Sequence, residues 1–508
     1  MHFLKPKQIA KSVIAALLIV LASLPAAARP TTEYRLMGTT VYEPSEILAF
    51  AAQIVAQRTG AVRVDDLAAT LELLYHEDGY FLAEVFVAED GRTLIVDEGE
   101  IGQISIEGVD ARTFALIQSY MEPVIGQRAV TQKAFERAIM LVEDIESISA
   151  VAEIDYPPGA QTARVRILAT PEDRSWGYLT LDHPSRGFGD EAVLTFGQQF
   201  LSAFTPGDML RLELSGSSEQ NGDTVWGALT YRAPIGGSGA FGEAYFGGVT
   251  ARRDASGTLA ATDIRGNTAI LALGFPFVRD VDTYGYGTFE LRRSASDVDV
   301  NGLSFESDVN VIGASWIYGK ALPHGGAFEY AINLSVGERD NGSLVFDDGD
   351  SSFFHLRVGA GLERPVSWFG PNSAVRAEFW AQYTQDRLPG IEEFHLGGRN
   401  DDRGFLFAEV QGDIGVSATL EVGRDIFPSS GLLHRFRPFG FVDIGYVRNN
   451  SPSATEIDDI TLASLGIGMD AELPNGLFIR SYVAAPLTDG VSTDAGDSAF
   501  YLGLTKSW

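Results

Sequence analysis

The stretch "VRAEFWAQYT", residues 375–384, alternates without a break. Val375, Ala377, Phe379, Ala381 and Tyr383 fall on one side of an extended chain; Arg376, Glu378, Trp380, Gln382 and Thr384 fall on the other. Successive side chains of a strand point to opposite faces, so one face is apolar and the other polar and charged. The pattern recurs in "MLRLELS", where Leu210, Leu212 and Leu214 oppose Arg211, Glu213 and Ser215, and in "YAINLSV", where Tyr330, Ile332, Leu334 and Val336 oppose Ala331, Asn333 and Ser335. A soluble sandwich also alternates, but its inner face does not normally carry Arg–Glu pairs strand after strand. A barrel with lipid outside and a wet lumen requires that division. The mean hydropathy of +0.03 is too polar for a bundle of membrane helices and suits strands that are only half apolar.

From Trp176 onward about sixteen alternating runs can be traced, which places an antiparallel transmembrane β-barrel at residues 173–508. The connections form two sets. One is short or rich in Pro and Gly: "APIGGSG", "FPFVRD", "LPHGG", "RPVSWFGPNS", "IFPSSG", "LPNG". The other is longer or acidic: "TARRDASGTLAATD", "ASDVDVNGLS", "ERDNGSLVFDDGD", "NNSPSATEIDD", "LTDGVSTDAGDS". Short inner turns and longer outer loops are the expected asymmetry of an outer-membrane barrel. An even strand count returns "FYLGLTKSW", residues 500–508, to the inner side.

The composition excludes other classes. With 68 acidic against 38 basic residues the chain lacks a nucleic-acid footprint. It has no cysteine, hence no disulfide and no thiolate metal site. Lys5, Lys7 and Lys11 precede a short apolar core, "SVIAALLIVLASL", and "PAAARP" offers a cleavage site after Ala28. That core is shorter than the roughly 20 residues of a spanning helix, so residues 1–28 read as a signal peptide, with an uncleaved anchor as the alternative.

Between the leader and the barrel, one order of elements occurs twice. A short strand at 34–37 is followed by the helical stretches "PSEILAFAAQIVAQR" and "VDDLAATLELLYHEDG" and the strands "YFLAEVFV" and "RTLIVDEGE". Then come strand "IGQISIEG", helices "ARTFALIQSYMEPVI" and "TQKAFERAIMLVEDI", and strands "AVAEIDYP" and "ARVRILATPE". This β-α-α-β-β order resembles the POTRA domain, giving two modules at 31–100 and 101–172. Residues 31–172 hold 24 acids and 10 bases. That excess suits either a soluble surface or a face that repels acidic partners and guides a suitable client. Small sheets leave an edge strand to which an extended segment can add by backbone hydrogen bonds. The candidate edge is 81–88, with Phe81, Ala83, Val85 and Val87 on one parity.

Within the barrel half, "HLGGRNDDRGF", residues 395–405, places four charges between glycines in a long segment, 386–411, without strand patterning. A solvated loop explains the charges, but a segment of that length suggests function. Further on, "FGFVDIGYV" puts Val442, Ile444 and Tyr446 on the lipid side and Phe439, Phe441, Asp443 and Gly445 on the lumen side. An inward carboxylate needs a partner. If the loop folds back into the barrel, Arg403 supplies a planar, permanently charged fork for Asp443. Gly404 is then expected to allow a tight turn and Phe405 to pack on the wall. Glu421, inward with Ser417 and Thr419, is a second acceptor, and a reversed Arg403–Asp443 pair is expected to restore part of the function.

These residues carry a resemblance. "GGRNDDRGF" resembles the loop-6 motif of the Omp85 superfamily, and "FGFVDIG" is similar to its partner strand motif F-x-D-x-G, in Phe441, Asp443 and Gly445. Gly503 and Trp508 resemble the C-terminal β-signal, although Lys506 stands near the end where the pattern is apolar. Two POTRA-like modules with "YRAPIGGSG" and "LGFPFVRD" are most similar to ShlB/FhaC-type two-partner secretion transporters (TpsB), over nearly all of the mature chain. The resemblance implies an outer-membrane pore of a Gram-negative bacterium with its POTRA domains in the periplasm. It would bind an unfolded, TpsA-like exoprotein and pass it outward without nucleotide. Its other partners would be outer-membrane lipid and the barrel assembly machinery that inserts it. An assembly factor of the Omp85 type is the alternative, and a passive porin would leave the paired modules without a task. Two departures stand out. Asp402, where the motif has a small or apolar residue, is placed to compete with Asp443 for Arg403. Only residues 29–33 lie between the leader and the first strand, with no plug helix, so the folded-in loop must close the pore or leave it leakier.

Other chemistry fails on context. "GGSGAFG", 236–242, has dinucleotide-loop spacing, but a strand follows where a helix is needed, so it reads as a hairpin turn. The seven histidines form no ligand pair, and "DDGDSS" at Asp347 reads as a solvated acidic loop rather than a Ca²⁺ site. With no nucleophile–base pair, P-loop or metal cluster, neither an enzyme nor a bound cofactor is expected.

Overall fold

The computed structural model describes residues 33–508 apart from 158–159, 161, 185–191, 220–221, 254–260, 343–349, 400, 430 and 453–455. The leader at 1–28 and the first half of "DDGDSS" lie outside the described residues. The chain divides into two compact units, one made of residues up to 143 with 148–170, the other of 144–147 with 171–508.

The N-terminal unit holds two small α+β modules. The first runs β1 (Arg35–Met37), α1 (Pro44–Thr59), α2 (Val64–Glu77), β2 (Glu84–Val87), β3 (Thr93–Asp97). The second runs β4 (Ile101–Glu107), α3 (Ala111–Met121), α4 (Gln132–Glu143), β5 (Ile148–Asp155), β6 (Ala163–Pro171). Their sheets are ordered β1-β3-β2 and β4-β6-β5. Leu67, Leu71 and Tyr75, four residues apart on α2, meet Ala51, Ala52 and Val55 of α1 over Leu94 and Val96. Asp110 caps α3 by accepting from the amides of Arg112 and Thr113. β2 is an edge strand, but it begins at Glu84. Phe81 instead packs its ring on Phe135 of the second module and Ala83 is buried in the first core, so neither belongs to the edge. The apolar side chains that β2 exposes are Phe86 and Val87, while Val85 packs against the core.

Glu98 joins the two modules. Fully buried, its carboxylate accepts from the Thr40 amide at 2.6 Å, the Thr40 hydroxyl at 2.5 Å, the Val41 amide at 3.0 Å and the Tyr75 hydroxyl at 3.2 Å. Arg128, from the second module, lies 3.2 Å away and also donates to the Gly38 carbonyl. Burial pushes the Glu98 carboxyl up, but the bonds from Thr40, Val41 and Tyr75 outweigh it and hold it below its ordinary value. A depressed value means this stabilisation is present above the unfolded pKa, about 4.3, and is lost as pH falls through the folded one. Glu98→Gln should therefore speed proteolysis at residues 38–43 of the intact protein at pH 7 and narrow the difference between pH 7 and acid. Equal cleavage of the two proteins at pH 7 would show that these bonds do not hold the segment.

The second unit is a closed antiparallel barrel of sixteen strands. In chain order these are β7 (Ser175–Pro184), β8 (Val193–Leu201), β9 (Met209–Glu219), β10 (Gly222–Ile235), β11 (Ala240–Arg253), β12 (Thr262–Arg279), β13 (Thr283–Val300) and β14 (Leu303–Ala321). There follow β15 (Ala327–Gly342), β16 (Ser352–Val366) and β17 (Ser373–Tyr383). A short pair in a loop, β18 (Phe394–Leu396) and β19 (Val410–Gly412), lies outside the wall. The wall resumes with β20 (Ile414–Arg424), β21 (Arg435–Arg448), β22 (Asp459–Leu473), β23 (Leu477–Pro486) and β24 (Ala499–Ser507). Each wall strand pairs with the next, and β24 returns to β7. The outward face is apolar: Phe246, Leu271, Leu273, Phe289, Leu291, Ile312, Leu334, Val336, Val442, Ile444 and Ile467 are all exposed. Closure removes every strand edge, the condition for a sheet to sit in lipid.

One expected loop differs, and one expected turn is present. "ASDVDVNGLS" is not a loop: β13 and β14 run through it to a two-residue turn, Asn301 (φ 53°) and Gly302 (φ 82°). Asn-Gly is the strongest short hairpin signal, and it outweighs the acidic composition that suggested a loop. "GGSGAFG" forms the turn between β10 and β11, with Gly236 and Gly239 at positive φ. At the C-terminus, Trp508 and Gly177 exchange two backbone hydrogen bonds of 3.0 Å. A side chain at Gly177 would strike the Trp508 ring. Lys506 turns its ammonium to the carbonyls of Asn475 and Ser507.

Candidate functional site

Residues 384–413, between β17 and β20, form a re-entrant loop. The segment expected to lack strands contains β18 and β19, paired from Phe394↔Gly412 to Leu396↔Val410. Gly397 and Gly398, both at positive φ, turn the chain out of that stem, and the Ala408 amide returns to the Gly397 carbonyl. Phe405 is buried at the tip among Leu396, Val410, Val447 and Leu462.

Arg403 enters the wall formed by β20, β21 and β22. Its Nε donates to Asp443 Oδ2 at 3.0 Å and its Nη2 to Oδ1 at 2.9 Å, a fork-to-carboxylate pair. Its Nη1 donates to Glu421 Oε2 at 3.0 Å, and its own amide donates to Asp443 at 3.1 Å. The guanidinium lies 3.4 Å above the centre of the Phe441 ring, where the ring's negative face attracts it. Thr419 donates a further bond to Asp443. Only 3% of the Arg403 side chain and 1% of that of Asp443 meet solvent, so the charges must neutralise one another locally.

The cluster is wider than the pair. Arg437 donates to Glu421 at 2.7 Å and to Asp470 at 3.4 Å, and Arg480 reaches Glu421 at 3.3 Å. Three guanidiniums thus face three carboxylates: Glu421, Asp443 and Asp470. Arg437 shares the inward parity of Phe439, Phe441 and Asp443, so extending the alternation of β21 by one pair of residues locates it in the sequence. Arg480 and Asp470 gave no comparable signal, because only the register Asp470↔Arg480 brings them together.

The glycines act differently from expectation. Gly404 is not at positive φ; that conformation falls on Asp402 (φ 50°). A Cβ at Gly404 would lie 2.9 Å from the Pro486 nitrogen and from Ser464 Cβ, so glycine is needed for close approach to the wall rather than for a turn. A Cβ on Gly445 would strike Asp402 and Leu396. Gly445 thus clears the wall position on which the loop tip rests.

Asp402 does not compete for Arg403. Its two carboxyl oxygens are buried with no hydrogen-bond partner among the described residues. Burial, with Asp443 and Asp401 close by, pushes its carboxyl up to about 8.

Contacts at four further acidic residues hold the loop. Glu392, fully buried, takes a two-pronged bond from Arg292 of β13 (2.7 and 3.0 Å), and His355 Nε2 of β16 lies 3.1 Å from Oε2, the oxygen that Arg292 Nη2 also engages. Arg357 donates to the Glu392 carbonyl. Asp413 accepts from the amides of Leu388 and Asn450, and Glu409 from those of Ser492 and Thr493. Arg399 donates to Asp182 of β7 at 2.6 Å. His355 had been one of seven scattered histidines; no local pattern marks a residue whose partner lies in another element.

A sixteen-stranded barrel whose lumen wall receives an Arg-Gly-Phe loop tip on an F-x-D-x-G strand defines the Omp85 class of outer-membrane barrel. The profile of the haemolysin secretion/activation protein family ShlB/FhaC/HecB matches residues 207–471, just over half of the chain. The chain belongs to that family, whose members are outer-membrane transporters of two-partner secretion. Among solved structures it is similar to CdiB from Escherichia coli (17% identity, TM-score 0.77) and CdiB from Acinetobacter baumannii (14%, TM-score 0.74), each over the whole of both chains. It is also similar to BamA from Haemophilus ducreyi lacking POTRA domains 1–3 (16%, TM-score 0.54), over 94% of this chain and all of that one. No curated protein matches by sequence.

Arg403→Ala leaves Asp443 without its cation, a loss of roughly 3–5 kcal/mol from loop docking. Hydrogen exchange of residues 397–409 should rise sharply while β13 and β14 stay protected. Reversing the pair, Arg403→Asp with Asp443→Arg, should not restore docking, because the new aspartate would face Glu421. Restored protection would show that Glu421 is a bystander.

Proposed function

We propose that this chain is the outer-membrane pore of a two-partner secretion pair. Its N-terminal modules lie in the periplasm as POTRA domains and take up an unfolded, TpsA-like exoprotein. Its barrel passes that exoprotein outward as the loop carrying Arg403 moves aside. The observation that carries this reading is the loop itself: a charged tip held inside the lumen by bonds to Asp443 and Glu421 is a plug with a defined seat. Arg403, Asp443 and Glu421 form the lock, Gly404 and Gly445 give it room, and Phe405 and Phe441 pack it.

The exposed Phe86 and Val87 on the edge strand β2 support strand addition as the mode of client binding. With no nucleotide-binding loop in the sequence, folding of the client outside the cell supplies the drive. The catalytic role is none. Removing residues 31–100 should abolish export of the client while the barrel still inserts, and normal export would refute this reading.

The likeness to BamA, which spans 94% of this chain, favours a second reading as an assembly factor for other barrels. Depletion of the protein separates the two. Loss of one secreted protein supports the pore, and a general loss of outer-membrane barrels supports assembly.

A further inference from the structure

The barrel closes where β24 meets β7, over seven paired positions from Tyr501↔Pro184 to Ser507↔Tyr178, extended by the two backbone hydrogen bonds between Trp508 and Gly177. Inside this seam Tyr501 of β24 donates its hydroxyl to Asp182 of β7 at 2.5 Å, and Asp182 is buried. The other oxygen of Asp182 receives Arg399 of the loop at 2.6 Å. One carboxylate therefore binds the first strand, the last strand and the loop. Gly503 makes room for it: a Cβ there would lie 2.6 Å from the Tyr501 hydroxyl oxygen and 2.9 Å from Asp182 Oδ1.

The same loop reaches this point by a second route. Tyr501 stacks on Tyr482 of β23 with ring centres 4.9 Å apart, and Tyr482 meets the Phe441 ring edge-on at 5.6 Å. Phe441 lies beneath the Arg403 guanidinium. Three rings on β21, β23 and β24 thus form a continuous ladder from Arg403 to the seam. Arg399 and Arg403, four residues apart in sequence, hold its two ends. Both arginines and both tyrosines line one cavity of about 350 Å³.

We propose that the loop tip is also the clasp of the barrel seam. While Arg399 and Arg403 are seated, the ladder Phe441–Tyr482–Tyr501 is pinned and Asp182 is neutralised. When the loop leaves, Asp182 loses its cation, the ladder loses its cap, and the β7–β24 pairing loosens. The loop's departure then opens the lumen and softens the wall in one step. This goes beyond the export reading, and its test uses no client, so either can fail without the other.

The test is hydrogen exchange on the intact protein in lipid vesicles, comparing β7 and β24 amides with those of β13 and β14. Arg399→Gln should raise exchange in β7 and β24 by about tenfold, the loss of one charge-assisted bond, and leave β13 and β14 unchanged. Protection of β13–β14 also reports that the barrel is folded. Tyr501→Phe should give a similar rise, and the two substitutions together should give less than the product of their effects, since they act through one carboxylate. Because the natural chain lacks cysteine, Thr180→Cys with Thr505→Cys, whose hydroxyl oxygens lie 3.0 Å apart across the seam, provides a clean cross-link. Oxidation of that pair should restore protection in Arg399→Gln. Unchanged β7–β24 exchange in Arg399→Gln, or fully multiplicative effects of the two substitutions, would overturn the proposal.

Discussion

A guanidinium taken out of water must meet acids, and acids taken out of water must meet a cation. That constraint organises the lumen of this barrel. Arg403 on the loop answers Asp443 and Glu421 on the wall, and Arg437 and Arg480 complete a balanced set with Asp470. None of these groups is stable there alone. The loop must fold inward because the wall presents an excess of carboxylate that only its tip completes, and the tip can stay only because the wall receives it.

The glycines around this set are best understood as space. Gly404 lets the tip press against β22 and β23, Gly445 lets β21 accept Asp402, and Gly503 lets Asp182 reach Tyr501. An Arg-Gly-aromatic tip and an F-x-D-x-G strand are then two halves of one fit. The arginine and aspartate bond, the phenylalanine lies under the cation, and each glycine removes the side chain that would hold the halves apart. Asp402, the residue that departs from the motif, is accommodated in the space that Gly445 leaves.

The loop does more than fill a hole. Its limb at Glu392 is tied to β13 and β16, while its tip is tied to β20 and β21, and Glu409 and Asp413 tie it to neighbouring loops. Contacts distributed over both sides of the lumen make departure a cooperative event. A loop fixed at one point would flicker; one fixed at several carboxylates waits for a larger perturbation. On the proposed export role, a client chain entering the pore is the natural source of that perturbation.

Much of this was legible in the linear chain, for physical reasons that can be named. A strand in lipid must alternate, so the barrel, the inward Asp443 and Glu421 and the outward Val442 and Ile444 follow from parity alone. The paired modules follow from helical spacing, and the partner of Asp443 from the rule that a buried charge is met. What only the tertiary structure decided is which elements meet. Tyr501 meets Asp182 because closure pairs the last strand with the first, Arg480 meets Asp470 through the register of β22 on β23, and Arg292 meets Glu392 because the loop folds into the barrel. A short-range pattern has no access to those meetings. The same limit explains why the edge strand begins at Glu84 rather than Phe81: Phe81 is claimed by a ring of the next module, a contact that no local alternation encodes.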